Sequence, residues 1–76
     1  MLQQNQPGLV AVQLVSGERI VCANRSDAEL VLDADRRFYE GNSGRKLPKA
    51  TIQALERAGL HANNSMLYRS ALDNVE

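Results

Sequence analysis

Tryptophan is absent from this chain, and its aromatic residues are only Phe38, Tyr39 and Tyr68. A core must therefore be built from Leu, Val, Ile and Ala. The single cysteine, Cys22, cannot form an internal disulfide, which excludes the disulfide-stapled class of small secreted domains. One histidine, His61, lies far along the chain from that thiol and has no companion to complete a zinc set. No metal or cofactor is expected. No stretch approaches the roughly 18 apolar residues of a membrane span, and residues 1–8 have neither a positive leader nor an apolar segment. The chain reads as cytoplasmic, with no membrane contact. Net charge is missing too: nine Lys and Arg balance nine Asp and Glu. That balance removes the simplest electrostatic argument for a nucleic-acid binder.

The distribution of charge says more than its sum. Up to residue 35, Arg19 and Arg25 face Glu18, Asp27, Glu29, Asp33 and Asp35, a balance of −3. From 36 to 57, Arg36, Arg37, Arg45, Lys46, Lys49 and Arg57 face Glu40 and Glu56, a balance of +4. The chain is polarised along its length.

Residues 1–8, rich in Gln with a Pro-Gly pair, have no apolar period and read as a flexible N-terminal arm. A single small domain over 9–76 follows. Val10, Val12 and Leu14 alternate with Ala11 and Gln13, and Ile20 and Cys22 alternate with Arg19 and Val21. With Ser16-Gly17 between these runs, they predict a β-hairpin closed by a four-residue loop with a bulge. Ser26 and Glu29 have the spacing of a capping box. From there Ala28, Val31, Leu32, Phe38 and Tyr39 mark one face of a helix ending at Gly41. A strand with Leu30, Leu32, Ala34 and Phe38 on one side fits the period nearly as well. Helix is favoured because Ala, Glu, Leu and Arg suit it and Asp does not suit a strand interior. Asp33 can pair with Arg37 across one turn, and Asp35, which interrupts the stripe, needs a cation or hydroxyl partner if buried.

The segment 44–59, GRKLPKATIQALERAG, carries the clearest helix. Pro48 fits its first turn, Gly59 fits just past its end, and Ile52, Leu55 and Ala58 recur between them at helical spacing. Lys49, Gln53 and Arg57, four apart, form a polar ridge on the opposite side. Together with Arg45 and Lys46 they are the candidate partner-binding residues. No side-chain cap precedes Pro48, and free first-turn amides beside Arg45 and Lys46 suit an anion, a phosphate or a carboxylate. Beyond Gly59, residues 60–62 and 66–72 read as a second hairpin about Asn63-Asn64, or Tyr68, Ala71, Leu72 and Val75 line a last helix.

A helix, a short strand, an Asn-rich turn and another strand over 48–72 resemble the second half of a winged-helix domain. The resemblance implies a helix in the DNA major groove, with Lys49, Gln53 and Arg57 facing the bases and Arg69 beside the wing. The wing tip Asn63-Asn64-Ser65 departs from that pattern by lacking Lys and Arg.

No nucleotide-binding loop, nucleophile elbow or oxyanion loop is present, so the chain reads as non-catalytic. The expectation is a small α+β domain, an N-terminal β-hairpin packed with two short helices and a C-terminal hairpin or helix. Its expected function is regulatory or inhibitory protein binding, in keeping with small bacterial or phage accessory proteins. Sequence-specific DNA binding by a winged-helix-like C-terminal half is the alternative. A homodimer would help a core this small.

Overall fold

A computed structural model describes residues 8–41 and 46–76. The fold is small α+β: strands β1 (Val10–Gln13) and β2 (Arg19–Cys22), then helices α1 (Arg25–Glu40), α2 (Lys49–Arg57) and α3 (Met66–Asn74). Apart from Gly8, the arm expected over 1–8 lies outside the described residues, as does Arg45.

Alternation places the hairpin. The strands pair antiparallel with Val10 opposite Cys22 and Val12 opposite Ile20. Val12, Ile20 and Cys22 are buried on the helices, while Ala11 and Val21 face outward. The loop is tighter than the expected four residues. The Leu14 amide donates to the Glu18 carbonyl and the Gly17 amide to the Leu14 carbonyl, both at 2.8 Å. Val15, Ser16 and Gly17 thus form the loop, and Gly17 at φ 99° supplies the left-handed residue of a bulged turn.

Helix α1 begins two residues before the expected capping box. Asn24, extended at φ −161°, accepts from the Asp27 amide through its side chain at 2.8 Å. Asn caps as well as Ser does, and it stands where the chain leaves β2, so Ser26 falls inside the first turn. The packed face is also rotated from the expected stripe. Ala28, Val31, Ala34 and Asp35 are buried, whereas Leu32 and Tyr39 are exposed.

Helix α2 matches its punctuation. Pro48 is its N-cap. At the other end the Gly59 amide donates to the Glu56 carbonyl and the Leu60 amide to the Leu55 carbonyl, both at 3.0 Å. This is a Schellman ending, with Gly59 at φ 90°. Thr51, Ala54 and Leu55 are its buried residues, so Ile52 only flanks the core.

The segment after Gly59 resolves as a turn and a helix. Asn64 stitches the turn, its Oδ1 accepting from the His61 amide at 2.7 Å and its Nδ2 donating to the Gly59 carbonyl at 3.2 Å. Ser65 then caps α3 through the Tyr68 amide at 3.1 Å. Leu67, Tyr68 and Ala71 are buried, and Leu72 is exposed. The strand–turn–strand that carried the winged-helix resemblance is therefore absent: the only sheet among the described residues is β1–β2. A cap placed directly before an apolar helical period outweighs two short, weakly alternating runs.

The chain end closes back on the approach to α2. Leu47 donates to the Asn74 carbonyl at 2.8 Å and accepts from the Glu76 amide at 3.0 Å, a parallel bridge with Val75.

Candidate functional site

The residues of the expected ridge separate by role. Lys46, Lys49 and Gln53 are exposed. Arg57 is not a spare cation. Its Nε reaches Asp27 Oδ2 at 2.7 Å and its Nη2 reaches Asp27 Oδ1 at 2.8 Å. The Asp27 side chain is buried, and these bonds hold its carboxyl below the usual value of 3.8 against the opposing effect of burial. The same bonds raise the Arg57 guanidinium above its ordinary value. An arginine fork on a carboxylate is the strong form of ion pair, and here it ties the end of α2 to the start of α1. The first turn of α2 has no side-chain cap, as its sequence suggests, and the Thr51 amide turns back to the Pro48 carbonyl at 3.0 Å.

Asp35 finds neither of its expected partners. Its Oδ2 accepts from the Val15 amide at 2.7 Å, fixing the hairpin loop to α1. Asp33 takes the neighbouring cations: it pairs with Arg36, and its Oδ2 lies 3.0 Å from Arg37 Nε. Arg36 also reaches Glu40 at 3.4 Å. Between α2 and α3 the Tyr68 hydroxyl donates to Glu56 Oε2 at 2.5 Å, and this bond, with burial, raises the phenol above its ordinary value.

The two residues with soft-metal or nucleophile chemistry stay apart in role. Cys22 is buried, and burial, followed by the charge of Asp27, pushes its thiol up, away from the reactive thiolate. His61 is exposed in the turn before α3. Among the described residues no group of three His, Cys, Asp or Glu side chains could hold a metal ion, and no helix is long and apolar enough to cross a membrane.

The surface feature that sequence reasoning missed is a groove of about 230 Å³ where the hairpin loop, the last turn of α1 and the start of α3 meet. Leu14, Phe38, Tyr39 and Met66 supply its apolar wall, and Glu18 and Asp35 its carboxylates. The Phe38 and Tyr39 rings meet edge to face, with centroids 4.9 Å apart. Tyr39 is 50% exposed and Met66 65%, as is Val15 beside the lining residue Leu14. Lys46, Lys49, Gln53 and Arg57 do not line this groove. The one signal available in sequence was Tyr39 itself, the last member of the helical stripe that Ala28, Val31, Leu32 and Phe38 begin.

Comparison with known protein families, curated proteins and solved structures found no match to this chain.

Proposed function

We propose that this chain is a non-catalytic protein-binding module with a regulatory or inhibitory role, and that the groove between the hairpin loop, α1 and α3 is the centre of its contact surface. The observation that carries this reading is the gathering of Tyr39 and Met66, both half-exposed or more, at one concave place, with the exposed Val15 next in sequence to the lining residues Leu14 and Ser16. Single exposed apolar residues are ordinary on any surface. Aromatic and methionine side chains beside a groove are the composition of interface anchors, which bind by filling or being covered at a desolvated centre.

Lys46, Lys49 and Gln53, exposed at and before α2, belong to this proposal as further contact residues. Exposed charges of that kind add little to stability and act mainly on the rate and selectivity of association. Arg57 enters only through its exposed side, because its fork is engaged by Asp27. The unstapled, buried thiol of Cys22 supports a cytoplasmic setting.

The test is affinity capture from the source cell with the wild-type chain and a Tyr39→Ala/Met66→Ala pair. Retention of one protein in stoichiometric amount, lost with the pair, supports the reading. Retention of duplex DNA of defined sequence in its place would replace it.

A further inference from the structure

We propose that the groove accepts an arginine side chain presented by the protein partner, with the guanidinium lodged between the Tyr39 ring and the carboxylates of Glu18 and Asp35. This rests on the protein-binding reading above and names the chemistry of the occupant.

Charge complementarity selects the cation. Among the described residues two carboxylates line the groove, and no Lys, Arg or His does. Neither carboxylate is in an ion pair among the described residues, and Asp35 accepts from the Val15 amide. The nearest cations along α1 are committed elsewhere, Arg36 to Asp33 and Glu40, and Arg37 to Asp33. Asp35 is only 3% exposed, so its charge sits where water screens it poorly. The helix ends do not change the sign. The groove meets the C-terminal turn of α1 and the N-terminus of α3, whose partial charges of roughly −0.5 and +0.5 oppose one another.

Shape and polarity select arginine. At about 230 Å³ the groove is smaller than the roughly 300–1,000 Å³ of small-molecule pockets and suits one extended side chain. Leu14, Phe38 and Met66 would cover an aliphatic stem. A half-exposed tyrosine ring beside carboxylates offers a flat cation both a stacking face and bidentate acceptors, a combination that an ammonium uses less well.

The test is an amide NMR titration of the whole chain with the capped peptide acetyl-Ala-Arg-Ala-amide and its citrulline counterpart, which keeps the shape and removes the charge. The expected result is saturable shifts at Val15, Glu18, Tyr39 and Met66 at millimolar arginine peptide, with citrulline at least about tenfold weaker. Glu18→Gln should weaken the arginine response, and Tyr39→Ala should abolish it. Both residues are exposed, and the spectra themselves report whether the variants fold. Equal titration by the two peptides, shifts elsewhere on the surface, or no saturable shift overturns the proposal. If the arginine peptide fails while a captured protein still depends on Tyr39 and Met66, the cationic occupant falls and the protein-binding reading stands.

Discussion

Arg57 at the end of α2 and Asp27 in the first turn of α1, thirty residues apart, are joined by two hydrogen bonds of 2.7 and 2.8 Å. A bidentate fork on a buried carboxylate is specific to arginine. Arg57→Ala should lower the thermal midpoint by about 4–8 °C, and Arg57→Lys should recover only part of the loss. Lys49→Ala, on the exposed side of the same helix, should leave the midpoint nearly unchanged. Equal effects of the Arg57 and Lys49 variants in a thermal melt would show that the fork is not structural.

The same pair sets a pH dependence. The native Asp27 carboxyl titrates below 3.8, its ordinary value, because the Arg57 bonds favour the charged form. The linkage then has one sign: the contribution is complete above about pH 5 and is lost as pH falls through 3.8 toward the lowered native value. Denaturant melts between pH 3 and 6 should show wild-type stability falling over that window. In Arg57→Ala that part of the slope should flatten.

Asp35 makes a narrower prediction. Its carboxylate accepts from the Val15 amide, so Asp35→Asn, which keeps a carbonyl oxygen at that place, should be mild. Asp35→Ala should cost about 1 kcal/mol and speed hydrogen exchange at Val15 in particular. Unchanged exchange there would mean that the loop holds itself without α1.

DNA reading has a quantitative signature. A protein neutralising four phosphates should show a log–log salt slope near roughly −3.6. With Arg57 engaged by Asp27, Lys46 and Lys49 are the cations of the candidate ridge left without an ion pair among the described residues. Fluorescence anisotropy against a duplex pool should therefore show no sequence-selective binding at physiological salt. Selective binding that survives moderate salt would promote Lys49 and Gln53 to base-reading candidates.

What the sequence made legible was local. Val10, Val12, Ile20 and Cys22 show a strand period, and Pro48 and Gly59 bracket α2, because alternation and backbone punctuation act within a few residues. The α1 face came out rotated because Leu32 and Tyr39 outweigh Ala34 and Asp35 in hydrophobicity, while burial follows where the hairpin lies. Asn24, followed by an acid at Asp27, was a readable cap that Ser26 and Glu29 obscured. The Asp27–Arg57 and Asp35–Val15 links join residues 30 and 20 positions apart, and the groove is drawn from three separate segments. No spacing rule reaches such distances, whereas the ridge of Lys49, Gln53 and Arg57 lies within one helix and is legible from spacing alone.

The central claim is that this chain binds a protein through the Tyr39–Met66 groove. Its most direct test is calorimetric titration of the captured partner into wild type, Tyr39→Ala/Met66→Ala, and Lys46→Glu/Lys49→Glu. The expected result is a dissociation constant weakened at least about tenfold by the groove pair, with a smaller, salt-dependent loss from the lysine pair. An affinity unchanged by the groove pair would contradict the claim.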